Sequence, residues 1–203
     1  IAGYSFFIFL NAIMDKIYWG TGQFVLGIVS GTMQVAIYAI AMQFMMMYMN
    51  FSTAISGVML PKVTMLVADG AEASELTQLM IRVGRLQYYV VGYIFVMFML
   101  VRDMFIRLWA GEGYQAAYPI VLLLMGGMLV PLVQNVGITI LQAMNLNRYR
   151  MTAYTICAFI ALAVSFPLAK YYDGWGCAMA TAGSLIISTS VIMNRYYDRK
   201  VHL

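Results

Sequence analysis

Apolar residues run along this chain in long unbroken stretches, and the charged residues fall between them. Residues 17–61, 86–101, 113–147, 151–169 and 174–194 contain no Asp, Glu, Lys or Arg, and residues 1–14 are uncharged up to Asp15 and Lys16. An apolar run of about 18 or more residues reads as a transmembrane helix, because roughly 20 residues at a 1.5 Å rise cross a ~30 Å hydrocarbon core. The pattern predicts six spans, at about 3–27, 33–60, 83–106, 117–143, 151–169 and 174–194. Two glycines and two hydroxyls in Gly27–Thr32 suit a short turn. Pro61-Lys62 closes the second span, and Asp69–Glu75 reads as a surface loop or interfacial helix. Pro131 lies inside the fourth span and predicts a kink there. The fold class is an all-α membrane protein, a six-transmembrane-helix bundle forming a single membrane domain over 1–203.

The charges between the spans give a direction. Lys62, Arg82, Arg85, Arg148, Arg150, Arg195, Arg199 and Lys200 fall on one side, and Arg102, Arg107 and Lys170 on the other. Basic residues near span ends mark the cytoplasmic side. The second-to-third and fourth-to-fifth joints and the C-terminus are therefore expected in the cytoplasm. Tyr171, Tyr172 and Trp175, Tyr196 and Tyr197, and Trp109 with Tyr114 cluster at the expected interfaces as an aromatic belt.

Composition agrees. The chain is 63% hydrophobic and 10% charged, against about 25% charged for a soluble domain. Its net charge of +4 is spread over span ends, which does not suggest nucleic acid. Cys157, Cys177 and the single His202 supply no metal site, and no cofactor is expected. Walker A, GxSxG, HExxH and CxxC motifs are absent. Lack of an acidic pair or a large extramembrane loop argues against hydrolytic or metal chemistry. Ile1 opens directly on apolar sequence with no basic leader, which reads as a helix inside a longer protein rather than a signal peptide.

A few polar residues within the spans are candidates for function. On the opening helix, Asn11, Asp15, Lys16, Tyr18, Trp19 and Gln23 occupy one arc of roughly 160° at 3.6 residues per turn. Such an arc must face a bundle interior or a watery cavity, because a charge in lipid is costly. Asp15 could equally pair with a basic residue simply to hold helices together. Gln34 and Tyr38 lie on one side of the second span, and Gln134 and Asn135 flank Pro131 in the fourth; amides bridging helices would explain the latter as well as a cavity would. Arg82, Arg85, Arg148 and Arg150 lie toward the cytoplasmic side, where they would suit an anionic diphosphate head group or serve only to set topology.

The order of features then becomes specific. Asp15-Lys16-Ile17 opens the unit, Val35-Ala36-Ile37-Tyr38-Ala39 begins the next helix, and Val58-Met59-Leu60-Pro61-Lys62 closes it. Ala68-Asp69-Gly70-Ala71-Glu72 follows, and Leu141-Gln142-Ala143-Met144-Asn145 precedes Arg148-Tyr149-Arg150. Over about residues 1–195 the chain resembles the C-terminal half of bacterial polysaccharide flippases. These are the Wzx-type O-antigen translocases of the multidrug/oligosaccharidyl-lipid/polysaccharide exporter superfamily. The resemblance implies one half of a twelve-helix transporter in the bacterial inner membrane, with the C-terminus cytoplasmic. It implies a transporter, not an enzyme, that flips undecaprenyl-diphosphate-linked oligosaccharide by alternating access. Membrane lipid, and a glycan polymerase and chain-length proteins, are its implied partners. The residues of the arc, with Gln34, Tyr38, Gln134 and Asn135, would line the cavity, and the four arginines would meet the head group. Protonation of Asp15 would couple transport to the membrane potential, worth about 2.3 kcal/mol per charge at 100 mV. Two other readings stay open: a multidrug or cation exporter of the same superfamily, and an integral-membrane polysaccharide polymerase or ligase.

Overall fold

The computed structural model describes residue 16 and residues 19–101, 103–144 and 147–196, and all regular structure among them is helical. Asn11, Asp15 and Tyr18 lie outside the described residues. Helix α1 (Trp19–Val29) ends where the sequence places a turn. Ser30 and Gly31 both donate their backbone N–H to Leu26 O, at 2.8 and 3.0 Å. Gly31 takes φ 82°, a value that favours a residue without Cβ.

Helix α2 (Thr32–Ala68) does not stop at Pro61. Its 37 residues span about 55 Å at 1.5 Å each, well beyond a ~30 Å hydrocarbon core. Proline removes one backbone bond, but the residues after it have somewhere to pack. Val63 is fully buried and shares a small core with Leu76, Leu79 and Val83 of α3 (Ala73–Val101) and with Val136 and Ile140 further on. The same core explains why α3 begins ten residues before the expected 83: Leu76, Leu79 and Val83 recur at helical spacing. The connection is a tight glycine turn. Gly70 has φ 75°, while Ala71 donates to Leu66 O and Gly70 to Val67 O, the Schellman pattern of a helix C-terminus.

Helix α3 is described to Val101, and beyond residue 102, which lies outside the described residues, comes helix α4 (Asp103–Ala110). Its Phe105 and Trp109 close on Phe44 of α2, with ring centroids 5.6 and 4.8 Å away. Helix α5 (Ala117–Val133) is the centre of the bundle. Ile120, Val121, Leu124, Met125, Met128 and Leu132 are buried in one cluster with Ile37, Ala41, Met45 and Tyr48 of α2. Helix α6 (Asn135–Ala143) continues it after a 44° bend. The break falls at Gln134, three residues past Pro131, rather than at the proline.

Helix α7 (Asn147–Leu185) is two helical arms. Asp173, at φ 48° and ψ −130°, interrupts it within one residue of the expected joint between 169 and 174. Ser184 Oγ donates to Cys157 O at 2.9 Å. Twenty-seven residues of straight helix would hold these atoms about 40 Å apart, so the arms run antiparallel. A π-helical segment (Ile186–Met193) and one last turn, α8 (Asn194–Tyr196), complete the described chain.

Among the described residues, three helices are long and apolar enough to cross a membrane, or four if α5 and α6 form one span. One of the three, Thr152–Thr189, is the folded hairpin, so its length covers two passes of chain side by side. The protein is an all-α membrane protein.

Candidate functional site

The break at Gln134 organises the polar groups of the bundle. Ser52 of α2, fully buried, donates through Oγ to Leu132 O at 2.7 Å. Ser52 Oγ also lies 3.3 Å from Asn135 Nδ2, which donates to it across the break. Gln87 of α3, also fully buried, donates through Nε2 to Ser56 Oγ at 2.7 Å and to both the carbonyl and the hydroxyl of Ser52 at 3.2 Å. Three helices are thus clamped by neutral hydrogen bonds at the point where a fourth loses its regular backbone bonding. Groups freed by a break at membrane depth must find partners inside the protein. Ser52, Gln87 and Asn135 are all polar residues in charge-free windows, and Gln87 is the least conspicuous because it lies at the edge of its window. It follows Arg85 by two residues and reads as an interfacial amide until Ser52 and Ser56, one turn apart, are seen to face it.

A cavity of about 350 Å³ opens beside this clamp, between α1, α2, the α5–α6 break, the first arm of α7 and the π-helical segment. That is the low end of the range for small-ligand sites. Its wall presents the amides of Gln134, Asn135 and Gln142, the hydroxyls of Thr53, Ser188 and Thr189, and the rings of Trp19 and Tyr154. Among the described residues, no carboxylate, ammonium or guanidinium lines it. Thr53 and Thr189 donate to carbonyls of their own helices, Thr53 to Met49 and Asn50 at 3.1 Å and Thr189 to Leu185 at 2.7 Å. Their oxygens can therefore still accept. Gln134 Oε1 is buried with no hydrogen-bond partner among the described residues. Amides and hydroxyls, which can donate or accept, stand beside two aromatic faces on a wall otherwise made of Met, Leu, Ile and Pro.

Of the residues singled out in the sequence, Trp19, Gln134 and Asn135 meet at this cavity. Lys16 is exposed and Gln23 half-buried, and neither lines it. Tyr38 is buried at 1% exposure, its hydroxyl 3.4 Å from Thr181 Oγ1. Its ring lies against Gly22, where a Cβ would come within 2.5 Å of it. Tyr38 therefore joins α1, α2 and the second arm of α7 as a packing residue. Gln34 sits at the hairpin end, its Oε1 3.5 Å from where a Cβ on Gly174 would stand. Arg82 and Arg85 are exposed on α3. Arg85, with Tyr88, Tyr89 and Gln134, lines an open groove of about 590 Å³ on the far side of the break. Arg148 and Arg150 fall in the opening of α7, and their side chains lie outside the described set.

The fold and this site define an all-helical membrane protein with a partly polar cavity at a broken helix. The chain matches the family described as polysaccharide biosynthesis protein over residues 1–119, and it belongs to that family. The match covers α1 to α4 and the start of α5, including the Ser52, Ser56 and Gln87 side of the clamp. No curated protein and no solved structure matches the chain.

Proposed function

We propose that this chain is part of a flippase that moves a lipid-linked saccharide across the bacterial inner membrane by alternating access. Its family supports a role in polysaccharide biosynthesis and export. The observation that carries the finer reading is the described cavity wall, where three amides, three hydroxyls and the rings of Trp19 and Tyr154 stand among methionines, leucines, an isoleucine and a proline. Sugars offer hydroxyl donors to such acceptors and apolar ring faces to Trp19 and Tyr154. The α5–α6 break and the π-helical segment form two sides of the cavity, and broken helices at a midplane site are where rocking transporters bind their cargo.

In this reading the six spans are half of a twelve-helix transporter with a cytoplasmic C-terminus. Arg82, Arg85, Arg148 and Arg150 meet the diphosphate of the carrier. Asn11, Asp15 and Tyr18 remain part of the proposal on their helical spacing alone. Substitution of Gln142, an exposed cavity amide with no structural bond of note, gives the test. Gln142→Leu in the full protein, complementing a flippase-deleted strain, should reduce surface glycan about tenfold at unchanged membrane level. Full glycan display would remove the cavity from the transport path.

A further inference from the structure

We infer that the outer face of α3 holds the carrier lipid of the substrate, with its phosphate at Arg85 and the first part of its single long chain lying along the helix toward Val96. This rests on the flippase reading above. The open groove beside Arg85 lies between α3 and the α5–α6 break, and its floor is narrow. A Cβ on Gly84 would come within 3.3 Å of Val133 O. A second hollow of about 290 Å³ continues from it, sharing Tyr88 and Tyr89 and passing Gly92, Tyr93 and Val96. Positions 85, 88, 89, 92, 93 and 96 recur every three or four residues, so they form one face. From Arg85 to Val96 that face is about 16 Å long at 1.5 Å per residue.

The chemistry of this trough fits a phosphorylated lipid. It has one cationic end, no acidic residue among the described residues of its lining, and an apolar and aromatic run behind it. Guanidinium is the preferred partner of a phosphate because its donors form a fixed fork. Tyr88, Tyr89 and Tyr93 are 54%, 70% and 67% exposed. On a helix facing only bulk lipid, tyrosines gather at the interface; Tyr93 lies about 12 Å deeper than Arg85 along the helix.

What selects a saccharide carrier over an ordinary phospholipid is the partition. Gln134 lines both the outer groove and the inner cavity. A wall one residue thick therefore separates the place for a phosphate from the place for sugars. A phosphate-linked saccharide needs that arrangement, and a glycerophospholipid has nothing to put on the cavity side.

The test uses the full protein in detergent with two probes, a long-chain polyprenyl diphosphate bearing no sugar and phosphatidylglycerol, read by native mass spectrometry. Arg85→Gln should weaken polyprenyl diphosphate binding about tenfold. Gly92→Phe should weaken it comparably, because a Cβ at Gly92 meets nothing within 4 Å and the ring can fill the trough without displacing the core. If Gly92→Phe fails to fold, Arg85→Gln alone decides. Lys170→Gln, an exposed charge on α7 away from the trough, should match wild type. Phosphatidylglycerol should compete only at large excess. Equal binding by wild type, Arg85→Gln and Gly92→Phe would overturn the groove while leaving the flippase reading intact. Equal competition by phosphatidylglycerol would make it a general anionic-lipid site and overturn it likewise. No polyprenyl diphosphate binding by wild type would bring down both.

Discussion

The clamp at the α5–α6 break can be measured by removing a single oxygen. Ser52→Ala deletes the 2.7 Å bond to Leu132 O and the acceptor for Asn135 Nδ2 at 3.3 Å. Gln87 Nε2 keeps Ser56 Oγ and the Ser52 carbonyl, so its loss is partial. Interhelical hydrogen bonds in a membrane average about 0.6 kcal/mol and reach about 1.7. One short bond and two longer ones should thus cost about 1.5 kcal/mol, roughly tenfold in the folding equilibrium. Thr53→Ala is the control. The Thr53 hydroxyl bonds only to Met49 O and Asn50 O of its own helix, so its loss should stay within about 0.5 kcal/mol. Unfolding of the chain in mixed micelles by titration with sodium dodecyl sulfate gives both numbers. A cycle pairing Ser52→Ala with Gln87→Met should show coupling of about 0.6 kcal/mol. If Ser52→Ala and Thr53→Ala unfold alike, or the cycle is additive, the break is not held by this clamp.

The α7 hairpin and the exposed joint give two further predictions. A Cβ on Gly176 would come within 2.2 Å of Leu168 O and 2.3 Å of Leu168 C, so Gly176→Ala must part the two arms and should cost about 3 kcal/mol. Gly183→Ala, with open space around it, should be neutral or stabilise by up to about 1 kcal/mol; equal melting of the two variants would contradict the antiparallel packing. Arg107 bonds Glu112 through Nε at 3.1 Å, with both side chains more than half exposed. Glu112→Gln should therefore change thermal stability by no more than about 1 kcal/mol, and a larger loss would mean that the joint is buried in the folded protein.

The sequence was most legible where composition alone decides. Charge-free windows located the bundle, Gly31 and Gly70 located turns, and the joint before Gly174 holds Asp173. Boundaries failed where a helix outran the membrane. Nothing local says that α2 continues past Pro61, because the reason is Val63 finding Leu76, Leu79, Val136 and Ile140. The site was half legible for a related reason. Gln134 and Asn135 announce themselves as amides beside a proline. Tyr38 has the same polar credentials, yet its environment is set by Gly22 and Thr181, residues distant in sequence. Polarity marks which groups in a membrane helix need a partner; only packing says whether that partner is a neighbour or a ligand.

The irregular backbone gives an independent argument that the cavity is more than a packing gap. The helix break at Gln134 and the eight-residue π-helical segment are separated by more than fifty residues of sequence. Each costs regular hydrogen bonding, and π-helical stretches of this length are rare and concentrate at functional sites. Both contribute to one wall: Gln134 and Asn135 from the break, Ser188, Thr189 and Met193 from the π segment. Elsewhere α5 packs tightly on the hairpin, to the point that a Cβ on Gly127 would come within 2.8 Å of Ala182 Cβ. The bundle is close-packed on the hairpin side of α5 and departs from ideal helix beside the cavity. Two departures from regular helix thus meet at one polar cavity, and in the flippase proposed above they form the wall that moves. Alternating access requires such a wall.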